Sequence, residues 1–489
     1  MNFLSWFKTK NALLCLSTIS LFVDACIYGI IIPALPDLLQ VKLKASTGIN
    51  GLLVGFFALG VLIGAPSISF YSDRTGKRRM PMIIGFLILT VTSIPIGFSN
   101  KLYQLFLARL FQGISSGVTW SLGLAMLIDV YPSDKLDFPI SISYSGFTLG
   151  VLGGPVLGGV VYKSGGMPGL SYLMGGMALF NMIFRILVPD SNELNEILAK
   201  SETGSSLSID LESNSEKPQP IANKKINFFS LLKEKQIIVL CIVTIFAYGM
   251  TSSIELVLPI VFAEKFNLSP DIIGYTFISF SVSSVIGSLI TGKFMDSKFI
   301  NSRISEYKKR YVIIIIGNTV AGILVIITGF QKTLAAFIIF MALFGFASGC
   351  GNVPVMAALG AHITYMATRE DTPIADSKNS QSPENPKVAQ ESIPETPVPA
   401  LSNPGIKPDS NNLEENSETN ETKSVGKSGG NGQVYSLYNV AYSISALIIP
   451  IVASNMYKSA GLLPVCAFLG GLLAVGVSTS VGYILLTKK

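Results

Sequence analysis

Charge is scarce in this chain of 489 residues. Asp, Glu, Lys and Arg make up 13% of it, 49% is hydrophobic, and mean hydropathy is +0.53. Soluble domains carry about 25% charged residues, so a water-facing globular surface is excluded. Histidine is scarcer still. The single His362, at the end of an apolar run, rules out Ser-His-Asp triads and multi-histidine metal sites. The five cysteines (Cys15, Cys26, Cys241, Cys350, Cys466) all fall inside apolar runs, which argues against a disulfide framework or a metal knuckle. A complete phosphate loop is also missing. The stretch Gly287-Ser-Leu-Ile-Thr-Gly292-Lys293-Phe294 lacks the closing Ser/Thr and ends an apolar run, so no ATP engine is visible. The net charge of +6 is spread over many connections, which does not suit nucleic acid. No enzyme, cofactor or metal is expected.

Long apolar runs are what the chain does have. A bilayer core of about 30 Å takes about 20 apolar residues per helix. Such runs lie at 12–36, 50–72, 81–98, 103–130, 138–162, 170–188, 236–262, 271–296, 311–330, 334–361, 433–457 and 462–486. The first begins near Ala12, contains Asp24 and has no small-residue cleavage site behind it, so it reads as a retained span. The expectation is an all-α membrane protein of twelve transmembrane helices.

Alternate connections are basic. Lys8 and Lys10, then Arg74, Lys77, Arg78 and Arg79, then Lys224, Lys225, Lys233 and Lys235, then Arg303, Lys308, Lys309 and Arg310, and finally Lys488 and Lys489 fall on one side. The other side holds one or two lysines per loop, such as Lys42 with Lys44, Lys101 and Lys163. The positive-inside rule then places both termini in the cytoplasm, in a plasma membrane or that of a vacuole or other acidic organelle. Residues 190–235 and 363–432 are polar stretches that cannot bury a core, and read as disordered cytoplasmic linkers. They leave one bundle at 1–189 and a second at 236–489. A sequon at Asn267-Leu-Ser269 faces the other side.

The two parts echo each other. Gly64 lies nine residues before Asp73, and Gly287 nine before Asp296. Pro155 precedes Tyr162-Lys163-Ser164 as Pro450 precedes Tyr457-Lys458-Ser459. Leu110-Phe111 and Leu343-Phe344 each stand shortly before a Ser-Gly. Parallel six-span halves are the internal symmetry of major facilitator transporters, whose substrate site lies between the halves at mid-membrane.

Three ionisable residues sit well inside the spans: Asp24, Arg109 and Glu255. Facing lipid, each costs at least several kcal/mol, so each is expected on the bundle interior. A buried pairing of Arg109 with a carboxylate is one reading. The other is that Asp24 and Glu255, at equivalent places in the repeat, face a wet cavity and exchange protons for a cation. Tyr28, Trp120, Tyr144, Phe147, Tyr248 and Tyr442 occupy the same neighbourhoods, and aromatic faces suit an organic cation. Packing alone also explains aromatic residues there. The fifth span reads Gly150-Val-Leu-Gly-Gly154-Pro155-Val-Leu-Gly158-Gly159, a small-residue face for tight helix contact.

These patterns resemble those of a known family. The glycine-proline run resembles the antiporter motif of major facilitator drug exporters. Asp73-Arg74-Thr75-Gly76-Lys77-Arg78-Arg79 resembles the family's gating loop, with Ser69 where its first glycine stands, although Gly292 keeps it before Asp296. Arg109-Leu-Phe-Gln112-Gly113 is similar to the span-four motif whose arginine is implicated in proton coupling. Leu21-Phe22-Val23-Asp24, with Pro33 and Pro36, and Glu255-Leu-Val-Leu-Pro259 resemble vesicular amine transporters, whose first-span aspartate binds the substrate amine. That subfamily has aspartates where Asn352 and Asn439 stand and a lysine where Phe57 stands.

The resemblance implies a drug or amine antiporter of the proton-coupled type, acting as a monomer on a small molecule and protons. Asp24, Glu255, Arg109, Asn352, Asn439, Tyr28 and Tyr442 would form the binding region. Asp73, Arg74, Gly76, Arg78, Asp296, Gly150, Gly154, Pro155, Gly158 and Gly159 would carry gating and bending. A carrier of a neutral or anionic solute is the alternative, and a non-transporting membrane sensor working through 363–432 is a third reading.

Overall fold

The structure, a computed structural model, describes residues 3–31, 34, 38, 49–205, 228–268, 270–302, 304–369 and 430–487. Pro33, Pro36, Lys42, Lys44, Ser269 of the sequon, Lys224, Lys225, Arg303, Lys488, Lys489 and the stretches 206–227 and 370–429 lie outside the described residues. Helix is the rule because a bilayer leaves every backbone polar group to be satisfied within the chain.

The membrane helices are α1 (Lys10–Ile30), α2 (Ile49–Thr75), α3 (Arg79–Ser93, continued by a 3₁₀ turn Ile94–Phe98) and α4 (Leu102–Val130). A 51-residue stretch, Asp137–Leu187, follows. It is divided at Gly166, whose φ of 57° and ψ of −156° interrupt the helix, so it supplies two crossings, α5 (137–165) and α6 (167–187). Then come α7 (Lys235–Phe266), α8 (Pro270–Met295), α9 (Glu306–Thr328), α10 (Leu334–Arg369), α11 (Asn431–Ala460) and α12 (Leu462–Thr487). Among the described residues, eleven helical stretches are long and apolar enough to cross a membrane. The break at Gly166 makes the longest of them two, which brings the crossings to twelve.

Helix pairings repeat along the chain. In the first six, α1 lies on α5, α2 on α4 and α3 on α6; in the second six, α7 lies on α11, α8 on α10 and α9 on α12. The two bundles meet through α2 against α11 and α5 against α8, again equivalent pairs. The glycine face of α5 explains the first contact. A Cβ on Gly154 would lie 2.7 Å from the Cys26 carbonyl and 3.0 Å from the Gly29 Cα, both backbone atoms of α1. Gly150 and Gly158 meet α1 in the same way, whereas Gly159 has nothing within 4 Å of its Cβ position and is not part of this contact. Pro155 stays within the helix, its ring against Gly29.

Two sequence boundaries move. His362 is not at a helix end, because α10 continues to Arg369; the residue is buried, 3.7 Å from the carboxylate of Glu234. The polar stretch after α6, read as disordered from 190, begins with a helix at Ser191–Ser205. Leu194 is buried there and Leu198 packs on the core, an amphipathic spacing too short to stand out against the Ser, Asn and Glu around it.

Candidate functional site

One end of the bundle, where α1, α3, α5, α7, α9 and α11 begin, carries most of the lysines and arginines and is called the basic end below. Two equivalent clasps close it. At the end of α2, the Asp73 carboxylate accepts from the backbone N–H groups of Gly432 (3.1 Å) and Gln433 (2.9 Å), the first turn of α11. At the end of α8, Asp296 accepts from the N–H groups of Asp137 (3.1 Å) and Phe138 (2.8 Å), the first turn of α5. Helix N-termini present unpaired N–H groups and positive dipole ends, so a carboxylate is the fitting partner.

Each clasp is braced by cations. Arg78 reaches Asp73 (3.3 Å) and forks onto Asp129, which also accepts from Asn431 (2.6 Å) and Ser191 (2.9 Å). Burial disfavours its charge, but Asp129 and Asp73 outweigh burial and hold its proton more tightly than usual. At the second clasp, Arg310 makes a bidentate pair with Asp137 (3.0 and 2.9 Å), and Lys309 lies 3.6 Å from it. Burial, then the negative charge of Asp137, pushes Asp296 up to about 7 against the donated N–H groups. Gly76 closes the α2–α3 turn at φ 70°. Of the motif residues, Arg74 is set apart: it is exposed and makes no ion pair with a described residue.

Deeper in, the three ionisable residues converge between the bundles. Asp24 is 6% exposed and accepts from the Ser116 hydroxyl (2.6 Å). Arg109, 5% exposed, donates to Gln112 (3.3 Å) and lies 5.6 Å over the ring of Tyr28. It makes no ion pair with a described carboxylate, so the paired reading of Arg109 does not hold. Glu255 is exposed, and its charge reaches Tyr28 of α1 and Tyr442 of α11. Tyr442 lies within electrostatic reach of both Glu255 and Asp24, which joins the two carboxylates through one phenol.

Below them, toward the basic end, an aromatic layer crosses from bundle to bundle. Trp120 stacks on Tyr438 at 6.5 Å and meets Phe147 edge-on at 4.6 Å. Tyr248 packs edge-on to Tyr442 at 5.0 Å and accepts from the Tyr438 hydroxyl at 2.7 Å. Asn352 donates to the Tyr144 hydroxyl (3.3 Å) and Asn439 to Ser121 (2.9 Å), both across the bundle boundary, and the Ser145 and Ser288 hydroxyls meet at 2.8 Å. Tyr438, Ser116, Asp129, Asp137 and Arg310 were not marked by sequence. Only a repeat alignment of α5 with α11, setting Asp137 against Gly432, offered a signal for any of them.

The family profile described as Major Facilitator Superfamily matches residues 17–368. The chain belongs to that superfamily. The superfamily is one of multi-pass membrane transporters, not enzymes. The chain is 25% identical over 311 residues to the synaptic vesicular amine transporter of Rattus norvegicus, covering 63% of this chain and 54% of that protein. It is 24% identical over 351 residues to multidrug resistance protein 2 of Bacillus subtilis (strain 168), covering 71% and 79%. Other curated relatives are matched over 38–41% of their length. In fold it is similar to the crystal structure of the human organic anion transporter MFSD10 (TETRAN), with a TM-score of 0.65, 14% identity, and 96% and 99% of the two chains covered.

Proposed function

We propose that this superfamily member is a proton-coupled antiporter that exports or sequesters an organic cation, amine or amphipathic drug. The observation that carries this reading is the buried carboxylate of Asp24. It accepts the Ser116 hydroxyl at 2.6 Å yet has no cationic partner among the described residues, and it stands beside an aromatic layer. A carboxylate held that way attracts a proton or an organic cation, and aromatic faces add to the second. The similarity to an amine transporter and a multidrug resistance protein supports the same substrate class.

In this reading Asp24 binds the cation, Glu255 takes part in proton exchange, and Arg109 biases both through Tyr28. Asn352, Asn439, Tyr28 and Tyr442 shape the binding region. The Asp73–Arg78 and Asp296 clasps, with Gly76, form the inner gate. Gly150, Gly154, Pro155 and Gly158 let α1 and α5 move as one body. The basic end is cytoplasmic under the positive-inside rule, so the clasps seal the cytoplasmic side and the site opens away from it. The protein works as a monomer in a plasma or acidic-organelle membrane, as two bundles, 1–189 and 236–489, rocking about the site.

One observation favours a second reading. Arg109 is a buried cation without a carboxylate partner among the described residues, which suits an anionic solute. Reconstituted vesicles decide between them. Under an imposed pH jump the first reading expects uptake of monovalent organic cations that falls at least tenfold in Asp24→Asn. Uptake of anions that survives Asp24→Asn but not Arg109→Gln would replace it with the second.

A further inference from the structure

Asp129, at the end of α4, is held from both bundles. Its side-chain oxygens accept from Nε and Nη2 of Arg78, from Asn431 of α11 and from the Ser191 hydroxyl. A carboxylate has about four lone-pair sites, and these four donor atoms fill them. Arg78 passes the contact on to Asp73 (3.3 Å), which accepts from the first turn of α11. The first clasp therefore depends on where Asp129 stands.

The linker helix Ser191–Ser205 fixes that position. Ser191 donates to the Asp129 side chain at 2.9 Å, and Asn195, one turn on, donates to its backbone carbonyl at 2.8 Å. Residues four apart share a helix face, so one face grips both the side chain and the backbone of Asp129. Neighbouring residues fasten the same helix to the gating turn. Asp190 accepts from the N–H groups of Arg78 (2.9 Å) and Arg79 (3.1 Å), where α3 begins, and Asn192 donates to the Gly76 carbonyl at 3.0 Å. Arg185 holds Asp190 from α6 at 3.2 Å. Leu194 is fully buried and Leu198 packs on the core, which seats the helix, while Glu193 and Glu196 are exposed. The second clasp is braced differently, by Arg310 and Lys309 of α9.

We propose that the linker helix is a strap on the inner gate, and that Ser191 and Asn195 are positioning residues holding Asp129 where it locks Arg78 and Asn431. This rests on reading the clasps as the inner gate. The helix begins the chain segment that runs from the first bundle to the second, so its docking gives that segment a hold on gate closure. With the strap docked, Asp129 is fixed and the closed basic end is favoured. With the strap lifted, Asp129 turns to water, Arg78 loses its brace and the equilibrium shifts toward an open basic end. The strap sets how often the gate opens, not what the transport site binds.

The test uses the full chain, purified in detergent, with Ser436→Cys as the reporter. Ser436 is fully buried one turn inside Gly432, so its labelling by a water-soluble thiol reagent, above that of the same protein without the reporter, reads opening of the basic end. Losing a hydrogen bond to a charged group shifts an equilibrium about tenfold, so Ser191→Ala with Asn195→Ala should raise the labelling rate about tenfold. The unfolding temperature should stay close to wild type, because Leu194 still seats the helix. Ser191→Thr, which keeps the hydroxyl, should label at the wild-type rate. With Asp129→Asn present, Ser191→Ala should add less than about twofold, since its effect runs through that carboxylate. Ser191→Ala alone carries the same test should the double variant not fold. An unchanged rate, or a rise of the same size with Asp129→Asn present, would overturn the proposal. Asp73→Asn separates it from the gate reading. A rise in Asp73→Asn with none in the strap variants ends the strap and leaves the gate, and no rise in either ends both.

Discussion

The carboxylate of Asp73 accepts the backbone N–H of Gly432, 359 positions further along the chain, at 3.1 Å across the boundary between the two bundles. The α11 side of that bond has little room for a side chain. A Cβ at residue 432 would lie 3.0 Å from the Asp73 Oδ1 and 3.3 Å from the Arg78 guanidinium. The equivalent place at the other clasp is taken by Asp137, whose own charge is held by Arg310 and Lys309.

Gly432→Val is therefore expected to loosen the first clasp without disturbing either bundle. The valine methyls would meet a carboxylate and an arginine that are both buried and cannot retreat. Cysteines introduced on either side of this clasp should become several-fold more accessible to a membrane-impermeant thiol reagent from the basic end, while thermal unfolding in detergent stays close to wild type. Unchanged accessibility would show that the clasp is not the barrier.

Asp296 makes the second clasp sensitive to pH. Burial and Asp137 raise it from 3.8 to about 7 while the clasp is closed, and opening returns it to water and its ordinary value. Between those pH values the closed clasp holds a proton that the open one releases. Closure is therefore favoured toward the acid side and weakens as pH rises to about 7, with no further change above. The accessibility assay at the α5–α8 end should rise with pH across this window and level off beyond it. Asp296→Asn should flatten the profile. A profile of the opposite slope would contradict the assignment.

Gly154→Val tests the contact between α1 and α5. Its new side chain would strike the Cys26 carbonyl and the Gly29 backbone, which a rotamer change cannot relieve. Overpacking of this kind costs about 1–3 kcal/mol, so a lowered unfolding temperature in detergent is expected. Gly159→Val, which meets open space, should leave it unchanged.

Hydropathy carried most of the fold because each span is a local property. The run expected at 103–130 is α4 at Leu102–Val130, and that at 462–486 is α12 at Leu462–Thr487. The break at Gly166 falls in the gap between the runs expected at 138–162 and 170–188, and only its φ of 57° needed the structure. The site was half legible. Asp24, Arg109 and Glu255 stood out because charge within a span is costly. Ser116, Tyr438 and Asp129 did not, because serine, tyrosine and an aspartate at a helix end are ordinary in a membrane chain. Their partners lie 92 to 302 positions away: packing within one bundle brings Ser116 to Asp24 and Tyr438 to Tyr248, and the docking of the two bundles brings Asn431 to Asp129. Arg74 belongs to the same motif as Asp73 and Arg78, yet it is exposed and makes no ion pair with a described residue.

Competition between a proton and a cation at Asp24 is the centre of this account. The most direct measurement is proton release from the purified protein in weakly buffered detergent, followed with a pH indicator dye as a transported organic monocation is added. Wild-type protein should acidify the medium in a saturable way, and Asp24→Asn should not. Equal release from both, or binding of the cation to wild type with no release, would contradict it.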